Sequence, residues 1–251
     1  MKPSDLSVVL TGATGGVGSA LARELVARGA RVLLVARTAG PLAALARELA
    51  REDDNRHRID ALAADVTSAA ARIGVRDAAI TRSANVLINA ASADESGPFH
   101  ALDVARVDAV LQTNLVAAMQ LTRALLPHLL RQPAARVLSI GSALDGTGLP
   151  SATAFIGLRG FSDALRRELA GTTVRAQFLG RFSARQELHD YVASVTLRML
   201  LSGTSERFLG ASNGILGRLD TLATTWLVGM LDRGNAVRRL RKAAPTRSVH
   251  G

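Results

Sequence analysis

Four glycines in the stretch SVVLTGATGGVG, Ser7 to Gly18, have the spacing to hold a diphosphate. A short apolar run, Val8 to Leu10, ends in Thr11 and Gly12, and Gly15, Gly16 and Gly18 then lead into an amphipathic segment, Ser19 to Arg28. That order reads as strand, glycine turn and helix start. Glycine lets the backbone turn sharply and approach a pyrophosphate closely, and the helix N-terminus offers free amides at the positive end of its dipole. The chemistry implied is dinucleotide binding, although a tight strand-to-helix turn needs glycine with or without a ligand. Arg37 follows the second apolar run, and Ala36 stands where a carboxylate would bind a free ribose 2′-hydroxyl. A guanidinium without that carboxylate favours a 2′-phosphate, hence NADP(H) over NAD(H).

The elements that must position these residues follow from alternating patterns. Arg31 to Ala36, Ile59 to Ala64, Val86 to Ile88, Arg136 to Ile140 and Val174 to Leu179 read as buried strands. Pro41 to Arg51, a long region from Leu102 to Leu130, and Ala152 to Leu169 carry helical spacing. Strands separated by helices of this length need crossover connections, which predicts an α/β fold: a single Rossmann-like, doubly wound parallel sheet with helices on both faces. Ligands of such sheets bind at the carboxyl ends of the strands.

Composition bounds the rest. The 251 residues, 48% of them hydrophobic, suit one domain over 1–251. Cysteine is absent, which removes disulfides and thiolate metal sites. The five histidines, His57, His100, His128, His189 and His250, lack ligand spacing, so no metal is expected. The formal charge of +10 lies mostly on arginines beside helical apolar stripes, with one local concentration in a basic tail, 233–251. Aromatics make up only 3% of the chain, too few to stack single-stranded bases, so nucleic acid is not an expected partner. No apolar stretch approaches the length of a membrane span, and a cytoplasmic protein is expected.

These residues resemble the short-chain dehydrogenase/reductase family over nearly the whole chain. TGATGGVG matches its TGxxxGxG turn, and the cofactor-binding set implied is Thr11, Gly12, Gly15, Gly16, Val17 and Gly18. Asp65 and Val66 in ADVTS resemble the adenine-contacting strand end, and Asn89, Ala90 and Ala91 in INAAS keep part of the NNAG stretch. Asn114 stands where the family has its helix-bending asparagine, and Ser142 matches the active-site serine, thirteen residues before the expected tyrosine. The resemblance then puts Phe155 and Arg159 at the YxxxK positions. The family's tyrosine passes a proton at the substrate oxygen, and its lysine lowers the tyrosine pKa and holds the nicotinamide ribose. Phenylalanine has no titratable proton, while arginine keeps the charge and could still bind ribose hydroxyls.

Two functions are compatible with that pattern. One is NADP(H)-dependent oxidoreduction of a small hydrophobic carbonyl or alcohol, with Ser142 polarising the substrate and a water held by Asn114 and Arg159 giving the proton. The other is a catalytically silent relative serving as a cofactor-binding scaffold or partner subunit. Tyr191, with Val195 and Met199 at helical spacing, reads as a packed aromatic, and His189 as a further proton-donor candidate. The resemblance also implies a substrate lid and C-terminal helices over 184–232, with Trp226 as a core or pocket-wall residue. It implies a homodimer or homotetramer, or a hetero-oligomer with an active homologue, through the stripe Leu111, Leu115, Ala118 and Leu121.

Overall fold

The computed structural model describes residues 1–51, 53–142, 148–181 and 188–209. The basic tail, Trp226 and the part of the expected lid beyond 209 lie outside the described residues, as does its start, 184–187.

Seven parallel strands form one sheet in the order β3-β2-β1-β4-β5-β6-β7. They are β1 (Ser7–Thr11), β2 (Arg31–Ala36), β3 (Ile59–Ala63), β4 (Val86–Asn89), β5 (Ala135–Ser142), β6 (Val174–Arg181) and β7 (Glu206–Leu209). The helices are α1 (Gly16–Ala27), α2 (Ala39–Leu49), α3 (Ala69–Thr81), α4 (Val104–Leu111), α5 (Ala117–Leu129), α6 (Leu149–Glu168) and α7 (Leu188–Ser202). The doubly wound parallel sheet is thus as the alternation predicts. Two elements were not anticipated: α3, which buries only Val75 and Ala79, and the four-residue edge strand β7.

Alternation along the central strands feeds two cores. Val8, Leu10, Val32 and Leu34 face one layer with Leu21 and Leu25 of α1 and Leu42 of α2. Val9, Leu33 and Val35 face the other, with Leu121 and Leu125 of α5 and Leu165 of α6. Both faces of β1 are therefore dry, as a strand between two layers requires. Helix α7 packs on the first layer through Val192, Val195, Met199 and Leu200. Tyr191 is exposed, so the packed aromatic expected there is not found. Val195 and Met199 of the expected stripe are buried, and only its first position differs, Val192 taking the place of Tyr191.

Between α4 and α5, Gln112–Val116 forms a π-helical turn that contains Asn114. Such turns cost regular helix bonding and are frequent at functional sites. Among the described residues, no helix is long and apolar enough to cross a membrane.

Candidate active site

The strand order reverses between β1 and β4, and two depressions open side by side at the carboxyl ends there, sharing Ala91 and Ser92. The first, about 770 Å³, is lined by Gly12, Gly15, Ala36, Arg37, Asp65, Val66, Ala90, Ala91 and Thr113, among others. The second, about 620 Å³, is lined by Asp94, Asn114, Ser142, Ser151, Phe155, Leu158 and Arg181, among others.

The glycine turn has the shape of a cradle. Gly12 has φ +66°, and a Cβ there would come within 2.5 Å of the Ala90 carbonyl oxygen. A Cβ on Gly18 would strike the Gly12 carbonyl. No side chain caps the start of α1, whose N-cap is Gly15, so its first amides remain available to an anion. These features fit a dinucleotide. Thr11 stands behind the cradle: its hydroxyl donates to the Ile88 carbonyl at 3.3 Å and accepts from the Ala90 and Ala91 amides at 3.1 and 3.2 Å. That arrangement ties the end of β1 to the loop after β4. Asn89 is likewise buried, donating to Thr122 Oγ1 at 3.1 Å. Gly16, Val17, Gly18, Thr11 and Asn89 therefore shape the first depression from behind, whereas Gly12, Gly15, Arg37, Asp65, Val66, Ala90 and Ala91 line it.

At the far end of that depression, Arg37 is exposed and, among the described residues, forms no ion pair, as a residue reaching for a phosphate would. The Asp65 carboxylate accepts from the Thr67 amide at 2.9 Å and the Thr67 hydroxyl at 2.7 Å. Those bonds, with a smaller contribution from the charge of Arg37, hold its pKa below the ordinary carboxylate value against a small opposing desolvation.

The second depression departs from expectation in its helical wall. The residues that α6 brings to it are Ser151, Phe155 and Leu158, at i, i+4 and i+7 and so on one helix face. Arg159, one turn beyond Phe155, is buried and gives its Nε to Glu206 Oε1 on β7 at 3.0 Å. It does not line the cleft, so of the pair expected at Phe155 and Arg159 only Phe155 is brought to it, beside Ser142. Helix α6 begins at Leu149, seven residues past Ser142, so its first turn, with Ser151, reaches the cleft as well. Ser151 was not singled out in the sequence, and its signal would have been the i, i+4 spacing to the apolar Phe155.

Ser151 Oγ donates to Asp94 Oδ1 at 2.7 Å. Ser142 Oγ is buried and, among the described residues, has no hydrogen-bond partner. Asn114 bonds Ala93 twice: its Oδ1 accepts from the Ala93 amide at 2.7 Å and its Nδ2 donates to the Ala93 carbonyl at 2.8 Å. Arg159, outside the cleft, is not placed to share the expected water with Asn114. Asn114 instead fixes the loop that carries Asp94. Phe155 meets Phe178 edge to face at 5.5 Å between ring centroids and makes an apolar wall. His189 lies against Gly16 of α1 and lines neither depression, which removes it from proton transfer there.

A doubly wound sheet with a glycine cradle and a cleft at its order reversal is the architecture of a nucleotide-dependent oxidoreductase. The model of the short chain dehydrogenase family matches residues 7–180, and this chain belongs to that family. It is 28% identical over 222 residues to Nodulation protein G of Rhizobium sp. (strain N33), covering 86% of this chain and 88% of that one. It is 32% identical over 174 residues to Ketoacyl reductase HetN of Nostoc sp. (strain PCC 7120 / SAG 25.82 / UTEX 2576), covering 67% of this chain and 60% of that protein. A metagenomic short-chain oxidoreductase solved in complex with NADP is 28% identical, with a TM-score of 0.71 over 81% of this chain and 97% of that one.

Proposed function

We propose that this chain is an NADP(H)-dependent oxidoreductase that interconverts a small carbonyl and its alcohol, using serine hydroxyls where the family uses tyrosine. The observation that carries the reading is the continuity of the two depressions: a glycine cradle with Arg37 opens directly onto Ser142, Ser151 and Asp94. Gly12, Gly15, Arg37, Asp65, Val66, Ala90 and Ala91 would hold the cofactor, which when bound exchanges hydride with the substrate carbon. The NADP complex of the metagenomic relative and the reductase name of the Nostoc relative support this reading.

The chain's own part concerns the substrate oxygen. Ser142 Oγ, buried without a partner, is placed to donate a hydrogen bond to it. In the oxidative direction the alcohol O–H gives its proton to Ser151 Oγ, and Ser151 gives its own to the Asp94 carboxylate it already touches. Reduction runs the same path backwards, from protonated Asp94 through Ser151 to the forming alkoxide. Asn114 acts at one remove, by fixing Ala93 beside Asp94. Asp94 has no lysine beside it, so the route is slower near neutral pH than a tuned tyrosine, by an amount within the ~10²–10⁴-fold that general acid catalysis contributes.

A homodimer or homotetramer accompanies this reading. Ala118 and Leu121 of the expected stripe are buried within the chain, but Met119 on α5 and Ile156 on α6 are exposed and offer apolar contact instead. The second reading, a silent cofactor-binding scaffold or partner subunit, is favoured by Phe155, which puts a ring without a titratable proton into the cleft beside Ser142. Following NADPH absorbance over a panel of ketones separates the two. Turnover that falls roughly 10- to 100-fold in Ser142→Ala supports the enzyme; saturable NADPH binding with no turnover of any ketone supports the scaffold.

A further inference from the structure

Arg181 ends β6 beside Ser142, its registered neighbour on β5, and lines the second depression. Burial lowers the pKa of its guanidinium below the ordinary arginine value. Among the described residues, none forms an ion pair or side-chain hydrogen bond with it. A guanidinium withdrawn from water ordinarily finds a carboxylate, because a buried charge is costly unless paired. Arg159, more deeply buried, has Glu206, and Arg136, as deeply buried, gives one N–H to the Ala135 carbonyl.

Among the described residues, the one acid lining the same depression is Asp94, and it stands on the other side. Asp94 follows β4 and Arg181 ends β6, with β5 between them, so their strands are two spacings, about 10 Å, apart. Asp94 is also engaged by Ser151. The depression therefore has a cationic side at β6, an unpartnered hydroxyl at Ser142 in the middle and an anionic side at the β4 loop. A ligand with one apolar stretch and no charge would leave Arg181 half-buried and, among the described residues, without a partner.

We propose that the substrate carries a carboxylate, bound by the Arg181 guanidinium, with its reacting oxygen at Ser142. This names a substrate class for the oxidoreductase reading and rests on the same cleft being the reaction site. It also amends the purely hydrophobic substrate expected from the sequence: Ile140, Phe155 and Leu158 cover the chain of an oxo or hydroxy acid, and Arg181 takes its acid group.

The test is calorimetric titration of the native protein, without cofactor, by malonate and by dimethyl malonate, alongside NADPH titration by fluorescence. Arg181→Gln and Arg181→Lys are measured in the same way after thermal melts confirm folding. Malonate should bind more tightly than its diester. Arg181→Gln should weaken malonate by roughly 10- to 150-fold, the loss expected for one hydrogen-bonded charge, with Arg181→Lys between the two. Equal binding of acid and diester, or malonate affinity unchanged in Arg181→Gln, overturns the proposal. So does a loss of NADPH affinity matching the loss of malonate affinity, since the guanidinium would then serve the cofactor's phosphates. Acetoacetate and methyl acetoacetate, assayed with NADPH, separate the two levels of the argument. Malonate binding that depends on Arg181 with neither ketone reduced leaves the anion site standing and removes the oxidoreductase reading. Reduction of both without preference for the acid does the reverse.

Discussion

The register of α6 against the cleft makes a sharp prediction about rebuilding the family's proton donor. Ser151 and Phe155 line the depression, and Arg159 pairs with Glu206. At 1.5 Å of rise per residue, moving from Ser151 to Phe155 is about 6 Å along the helix, and Arg159 is about as far again. Ser151→Tyr with Phe155→Lys should therefore place both a phenol and an ammonium in the depression that holds Ser142, while Phe155→Tyr with Arg159→Lys should place a phenol there and leave its cation outside, beside Glu206. General acid catalysis contributes ~10²–10⁴-fold, so the first pair should raise NADPH-dependent reduction of a generic ketone by about that factor over the native chain. The change has a cost. It removes the edge contact of Phe155 with Phe178, worth about 0.5–1.5 kcal/mol beyond area, and gives up part of a buried ring. The assay is stopped-flow or steady-state loss of NADPH absorbance, on protein whose circular dichroism matches the native. A 10²-fold gain in the Phe155→Tyr, Arg159→Lys variant, with none in the other, would refute the placement of α6.

Four further outcomes follow from the same geometry. Arg37→Ala should cut NADPH affinity by roughly 10-fold or more and leave NADH affinity within twofold, read by fluorescence titration, because only the 2′-phosphate needs the guanidinium. Gly12→Ala should destabilise by roughly 1–3 kcal/mol in urea titration and abolish cofactor binding, since φ is +66° and the new methyl meets the Ala90 carbonyl. Glu206→Gln should lower stability by roughly 1–3 kcal/mol, less than a fully buried pair because the Glu206 side chain is 25% exposed, and leave NADPH affinity within twofold. Asp65 has a folded-state pKa below its unfolded value of about 4, so its stabilisation is present above that pH and is lost as pH falls through the folded value. Thr67→Val should accordingly lower stability at pH 6 and lose its effect at the acid end of a pH series of urea melts.

The parts of this fold that could be read from residues are those with a local cause. The glycine turn declares itself because backbone geometry at Gly12 and Gly18 excludes a side chain, and the central strands do so because they are apolar on both faces. Helix α3 escaped because only Val75 and Ala79 are buried, too little for a stripe. Strand β7 escaped because ERFL is short and polar, and its Glu206 is there to meet Arg159, 47 residues earlier in the chain. The cofactor half of the site was legible for the same reason as the turn. The chemical half was legible only in part: counting from Ser142 reached Phe155, which lines the cleft, but Ser151 one turn earlier depends on where α6 begins, and the place of Arg159 depends on Glu206 of β7. Asn114 was read as the helix-bending asparagine and lies in the π-helical turn, whereas its two bonds to Ala93 join residues 21 apart and were not foreseen.

The central claim is that the cradle around Gly12 still holds a 2′-phosphorylated dinucleotide beside a cleft furnished with serine in place of tyrosine. It is tested most directly by titrating the native protein into NADPH and, in parallel, NADH, and following nicotinamide fluorescence. The account predicts saturable binding of both, tighter for NADPH by roughly 10-fold or more. Absence of any saturable change with NADPH, on folded protein at millimolar nucleotide, would contradict it.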